Sequence, residues 1–305
     1  MNKKFIALAV AAAVAAPAAL AADNEVVLYG QVNLGLNITT AGTDQLKVSN
    51  ISSRIGFKGQ EDLGGGMKAF FKVETGIGPD SAPASSFGSR EAWVGLKGDF
   101  GSVGLGRGKT PYTLATEELD PFYFNESLGL TNTSMSNYRA NNSIRYDGEF
   151  GPVSVAVNNS FGEDKTAGKN ASNEISASVK FSGQGFAVFG AVNSNKPGGA
   201  KANDAYLVGA SANIGDLNLG GAVQHTDDAA GKNDDVLLLV GYTMGNASVQ
   251  LGGIVYDEDR KTKDQVTAGF YYSLSKRTTI LTEYTSNYVG VKNDNSFIVG
   301  LAHSF

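Results

Sequence analysis

Few side chains in this 305-residue sequence are of the kinds that make or break bonds, and none stands in a spacing that assembles a reaction centre. There are two histidines, His225 and His303. His225 is followed by Thr226, Asp227 and Asp228, which could mimic the acid–histidine dyad of a hydrolase. A general base also needs a positioned partner and a pocket closed to water, so a solvated histidine near a strand end is the better reading. Gly108-Lys109-Thr110 ends like a phosphate-cradling loop, but Val103 stands where that motif requires its first glycine. Asp257-Glu-Asp259 offers hard oxygen ligands and reads better as a solvated acidic loop. The absence of cysteine removes thiolate metal sites and disulfides. No cofactor and no metal are therefore expected, and no enzymatic activity. What remains is charge: Arg54, Lys58, Arg90, Arg139 and Arg145 on one side, Glu117, Glu118, Asp120 and Glu126 on the other. Fixed charges of both signs steer ions and dipoles rather than transform them.

The elements that must position these charges are strands. Period-two alternation recurs along almost the whole chain, and no helical span or heptad is found. Val26, Leu28, Val32, Leu34, Leu36 and Ile38 share one face of the first segment, opposite Tyr29, Gln31, Asn33 and Asn37. Val153, Val155, Val157 and Phe161 alternate with Ser154, Ala156, Asn158 and Ser160, and later segments repeat the pattern. Glycine is abundant, at 39 residues, but has no Gly-X-Y period.

Alternation predicts sixteen strands, over 25–39, 48–60, 67–78, 87–98, 102–108, 139–150, 153–161, 172–182, 185–194, 204–214, 217–226, 235–245, 247–257, 264–274, 278–288 and 295–305. Tight connections such as Gly151-Pro152, Gly215-Asp216 and Gly245-Asn246 alternate with longer polar ones. A short-long rhythm puts all short turns on one side of a sheet, and an even count puts both termini there too. A soluble barrel would bury its apolar face, but sixteen strands enclose a lumen too wide for side chains to fill. The apolar face must then point outward, to lipid, and closure pairs every strand edge as hydrocarbon requires. The 12 tyrosines and 16 phenylalanines suffice for interfacial girdles. The expected fold is all-β, a 16-stranded antiparallel transmembrane barrel with short periplasmic turns.

Both ends of the chain fit an outer-membrane destination. Met1 to Ala21 has Lys3 and Lys4, an apolar run, Pro17 and the small-residue site Ala19-Leu-Ala21, so residues 1–21 read as a signal peptide and 22–305 as the barrel. Without the leader lysines, 23 basic side chains face 30 acidic ones, a net charge of −7. That balance, with no basic run, argues against a nucleic-acid partner. The last segment alternates Phe297, Val299, Leu301, His303 and Phe305 on one face and finishes on an aromatic. An outer face meeting lipid explains such an end.

Several stretches carry a resemblance in order across the mature chain. They are Val27-Leu-Tyr-Gly30, Ser53-Arg-Ile-Gly-Phe-Lys-Gly59, Glu61-Asp-Leu-Gly64, Lys68-Ala-Phe-Phe-Lys-Val-Glu74, Arg90, Val94-Gly-Leu-Lys-Gly98, Phe100-Gly101, Leu105-Gly-Arg107, Asn141-Asn-Ser-Ile-Arg-Tyr146 and Gly300-Leu-Ala-His-Ser-Phe305. With them the chain resembles the general trimeric porins of Gram-negative outer membranes, most closely their neisserial-type branch. The resemblance implies passive diffusion of small hydrophilic solutes and ions through a homotrimer. The aliphatic outer face of the first strand also suits packing between subunits. It implies that a long third loop, here Lys109 to Tyr138, folds back into the lumen, although Asp120-Pro-Phe-Tyr-Phe124 stands where relatives often show Pro-Glu-Phe-Gly. Arg90 and Arg139 align with the family's basic ladder; parity places Arg54 and Lys58 on the lumen side and gives Arg145 the face of Arg139. These five, with Glu117 and Asp120, are the expected pore constriction, tilting preference toward anions. Leu301, His303 and Phe305 resemble the signature read by the outer-membrane insertion machinery. A phosphate- or sugar-selective channel is the alternative, and an outer-membrane hydrolase a more distant one.

Overall fold

The computed structural model describes residues 25–40, 45–81, 86–123, 139–163, 171–198, 202–228, 231–257, 264–289 and 292–305. The expected leader, residues 1–21, lies outside them. Seventeen strands form one antiparallel sheet: β1 (Val26–Thr39), β2 (Gln45–Asn50), β3 (Arg54–Gly64), β4 (Met67–Gly76), β5 (Glu91–Gly98), β6 (Gly101–Lys109), β7 (Arg139–Phe150), β8 (Val153–Phe161), β9 (Asn173–Gly183), β10 (Phe186–Lys196), β11 (Asn203–Ile214), β12 (Leu217–Asp227), β13 (Lys232–Met244), β14 (Ala247–Val255), β15 (Gln265–Ser275), β16 (Thr278–Val289) and β17 (Lys292–Ser304). β2 and β3 both pair with β1, over Leu34↔Asn50 to Thr39↔Gln45 and over Val26↔Gly59 to Gln31↔Arg54. They are two halves of one stave, so the barrel has the sixteen staves that alternation predicts.

The second stave is not continuous as 48–60 had it. Ser52 takes a left-handed conformation, φ 54°, and Ile51 turns inward to 2% exposure. Local bonds hold this break. Asn50 Oδ1 accepts from Ser53 N at 3.0 Å, Asn50 Nδ2 donates to Ile77 O at 2.7 Å, and Ser53 Oγ accepts from Asn33 N at 2.9 Å. The short turns carry glycine where positive φ is needed, as at Gly151, Gly215 and Gly245 with φ near +60°.

β17 closes the barrel on β1, from Gln31↔Ser304 to Thr39↔Ser296. Gly30 and Phe305 exchange two backbone hydrogen bonds at the end of that seam, N–O 3.1 and 3.0 Å. The terminal ring lies over Gly30: a Cβ there would stand 2.5 Å from Phe305 Cζ. The glycine of the Val27–Gly30 stretch is thus the seat of the last residue.

Polarity is inverted relative to a soluble fold. Leu28, Leu36, Val94, Leu105, Val208 and Leu238 are exposed, whereas Asn33, Asn158, Asn193, Gln224, Asp235 and Glu283 are buried. No helix among the described residues is long and apolar enough to cross a membrane. The crossing elements are strands whose outer band suits hydrocarbon.

One helix is present among the described residues, against the expectation of none. Helix α1 (Pro111–Glu117) has Thr110 as N-cap, its hydroxyl accepting from Thr113 N at 3.2 Å, and proline in its first turn. Two turns are too short to register as 3.6-residue periodicity.

Candidate functional site

The inner wall has two unlike halves. On one, apolar inward side chains stand among polar ones: Phe189 of β10, Leu207 of β11, Leu237 of β13, Ile254 of β14, Leu281 of β16 and Ile298 of β17 are nearly inaccessible and cluster with Tyr112, Leu119 and Phe122 of the segment after β6. That segment is tied across several staves. Tyr112 N donates to Ser176 Oγ at 2.9 Å and its hydroxyl to Gln224 Oε1 at 2.5 Å. Leu119 sits over Gly220, where a Cβ would come within 2.6 Å of Leu119 Cδ2. Tyr123 N donates to Glu283 Oε1 at 2.6 Å, and the Tyr123 and Tyr271 ring centroids are 5.5 Å apart. Each buried side chain of this size stabilises the docking by about 1.5–3 kcal/mol. The described part of the third connection therefore lies on inward residues of β9, β12, β15 and β16; Phe124, Glu126 and Tyr138 lie outside the described residues.

The other half, β3 to β9, carries the basic groups of the expected constriction. Glu74, with a side chain only 7% exposed, receives Arg90 Nε at 2.7 Å, Arg54 Nε at 3.7 Å and the Tyr29 hydroxyl at 3.1 Å. Two guanidinium groups on one carboxylate leave a surplus positive charge. Lys58 Nζ lies 5.4 Å from the Tyr29 ring centroid, an approach that favours a cation on the ring face. Arg145 Nε bonds both carboxylate oxygens of Asp147 at 2.9 Å and Nη1 donates to Lys109 O at 2.9 Å. Below α1 a cavity of about 840 Å³ near the short turns is lined by Lys68, Lys97, Lys180, Glu118, Asp147 and Glu149.

Arg54, Arg90, Lys58 and Arg145 thus share one stretch of inner wall. Arg139 does not follow from parity with Arg145: Asn142 has φ 49° and the β6–β7 register shifts between Gly106 and Gly108. That bulge resets the alternation, so sharing odd numbers does not place the two on one face. Arg139 is half-buried, opposite Lys109. Both oxygens of Glu117 bind Lys109 Nζ, at 2.6 and 2.7 Å. Asp120 Oδ1 accepts from Phe122 N at 3.1 Å and shapes the turn after α1. Sequence reasoning missed Glu74 as the hub, although it lay in a quoted motif and shares inward parity with Lys68 and Lys72. A carboxylate between arginine-bearing strands was the available signal.

The remaining candidates are placed as follows. His225 Nδ1 meets Asp234 Oδ1 at 2.7 Å, not Asp227 or Asp228, and shares the outward face of Val223. Leu301 and Phe305 are exposed on the outer face, and His303 Nδ1 pairs with Thr278 Oγ1 at 2.9 Å. Asp257 Oδ2 accepts from Asp234 N at 3.1 Å, while Glu258 and Asp259 lie outside the described residues. No group of three potential metal ligands occurs among the described residues.

An exterior that only hydrocarbon satisfies, around an interior that only water and ions satisfy, makes this fold a transmembrane β-barrel channel. Comparison with known proteins agrees and narrows the class. The chain belongs to the Gram-negative porin family, whose model matches residues 7–294. It is 32% identical to outer membrane porin protein 32 of Delftia acidovorans over 99% of this chain and 92% of that protein. It is 30% identical to the major outer membrane protein P.IB of Neisseria meningitidis serogroup B over the whole of both chains. Among solved structures, the anion-selective porin from Comamonas acidovorans superposes with a TM-score of 0.81 at 27% identity, covering 92% of this chain and all of that one. The protein is an outer-membrane porin.

Proposed function

We propose that this porin is a passive, non-enzymatic diffusion channel for small hydrophilic solutes and ions, with a weak preference for anions, working as a homotrimer. The observation that carries the ion preference is the Glu74 hub, where Arg54 and Arg90 share one carboxylate. Lys109–Glu117, Arg145–Asp147 and Lys180–Glu118 are balanced pairs by contrast. The similar anion-selective porin from Comamonas acidovorans supports the same sign. Local charge at the passage, rather than the net charge of the chain, sets which ion passes. The segment from Lys109 to Tyr138 narrows the passage in this reading. Reversal potentials across planar bilayers in a KCl gradient should show a modest anion preference; a strong cation preference would overturn it.

The aliphatic, exposed Val26, Leu28, Leu36 and Ile38 of β1 support a subunit interface there. Residues 1–21 act as a cleaved leader in the same reading. Leu301, His303 and Phe305 serve as the signature read by the insertion machinery. Deleting Phe305 removes two seam hydrogen bonds and a ring worth about 1.5–3 kcal/mol by burial. Folded protein in the outer membrane should fall severalfold, while channels that do insert conduct normally. Quantifying folded and unfolded bands in membranes checks this. Normal accumulation would remove the targeting role.

A further inference from the structure

The single tryptophan of the chain lies on the charged wall, where no constriction role calls for an indole. Trp93 of β5 and Phe70 of β4 both have inward parity, since Phe71, Val94 and Leu96 are the exposed outer residues. Their rings lie down against glycine backbone. A Cβ on Gly104 would be 3.4 Å from both Phe70 Cζ and Trp93 Cε3, one on Gly95 2.7 Å from Phe70 Cε1, and one on Gly108 2.4 Å from Trp93 Nε1. The two side chains flank Gly104 and together form a platform on this wall. A pocket of about 460 Å³ adjoins it, lined by Glu25, Lys58, Phe70, Lys72, Trp93 and Lys97 among others. That volume suits a small organic molecule.

The lysines around the platform are only partly compensated: Asp62 stands opposite Lys68 in the register and Glu25 lines the same pocket. Lys68 stands directly opposite Lys97 and Lys58 opposite Lys72 in the strand register. Like charges so placed repel. Lys72 is held by Glu91 at 2.5 Å, but Lys58, Lys68 and Lys97 form no ion pair with any described residue. Trp93 Nε1 likewise has no hydrogen-bond acceptor among the described residues.

We propose that this platform is a binding site for small aromatic carboxylates in transit through the channel. The ring of such a solute stacks on Phe70 and Trp93, and its carboxylate accepts from Lys58 and Lys97, relieving their repulsion. The inference deepens the anion-preferring reading by naming a solute class and the wall that selects it. A simple anion would satisfy the lysines and leave the platform bare; a neutral aromatic would do the reverse.

Because one tryptophan carries all the indole emission, the full-length refolded protein reports on this site directly. Benzoate should change that emission saturably and reduce the single-channel chloride current over the same concentrations. Acetate, phosphate and benzyl alcohol should give no saturation in that range. Lys58→Gln and Lys97→Gln should each weaken benzoate binding about tenfold, as expected for one charge-assisted hydrogen bond. Phe70→Leu should weaken benzoate while leaving the weak acetate response unchanged. A linear benzoate response, saturation by acetate or phosphate at equal concentration, or wild-type affinity in both lysine variants would overturn the site. KCl reversal potentials on the same preparations separate the two readings: anion preference without a benzoate response sinks only the platform, and the converse sinks only the general ion preference.

Discussion

Glu74→Gln is expected to give the largest change in ion preference of any single lumen substitution. The carboxylate receives Arg54, Arg90 and the Tyr29 hydroxyl, so its neutralisation unmasks two guanidinium groups on the passage wall. At about 4 Å and an effective dielectric constant near 20, one such charge pair is worth about 4 kcal/mol before desolvation. Removing it should move reversal potentials in a KCl gradient well toward the chloride limit. Breaking a fully buried pair costs about 3–5 kcal/mol. Here the loss should be smaller, because the Arg54 and Arg90 side chains keep 31% and 15% exposure to the lumen. Glutamine also retains hydrogen-bonding groups for Tyr29 and Arg90. Thermal unfolding followed by circular dichroism checks the stability, and bilayer recordings check the selectivity. An unchanged reversal potential would mean that these arginines are not at the narrow section.

Loosening the third connection should have the largest effect on conductance. Leu119→Ala empties an apolar seat that is 2% exposed, and such truncations cost about 2–5 kcal/mol. That energy is held in the docking of the segment, not in the strand ladder. The expected result is therefore a larger, noisier single-channel current with an almost unchanged barrel melting temperature. Gly220→Val should act likewise from the opposite side, since a Cβ there meets Leu119 Cδ2 at 2.6 Å. Deleting Leu114 to Phe122 outright should raise conductance further but also lower stability, because Leu207, Leu237, Ile254 and Leu281 would then face water. Unchanged current in all three variants would place the narrow section elsewhere.

Strand existence was legible because one face of nearly every stave meets hydrocarbon and the other a polar lumen, which is the condition for clean alternation. The pattern blurs where both faces are apolar, as at Leu237-Leu-Leu239. There the outward Leu238 faces the membrane and the inward Leu237 meets the docked segment. Parity can be carried along the ladder at Arg54, Lys58 and Arg145, where the register runs without a shift. It failed to transfer from Arg145 to Arg139, because one bulge shifts every side chain beyond it. The break at Ser52 escaped for a related reason: its bonds come from Asn33, Asn50 and Ile77, which only the folded sheet brings together.

By itself the sequence determined the barrel, its sixteen staves, the outward sense of its apolar face and the supply of lumen charge. These follow from a period of two, an even count and the width of the resulting cylinder, all local or additive quantities. Only the tertiary structure decided which charges cancel. Glu74 and Arg90 lie sixteen residues apart, and Lys180 and Glu118 sixty-two, yet each pair is within 2.7 Å. It also decided that Glu117 turns to Lys109, and that Phe70 and Trp93 flank Gly104. Electrostatic and ring contacts depend on distances of a few ångströms between separate staves, and register, bulges and the course of a docked segment set those distances.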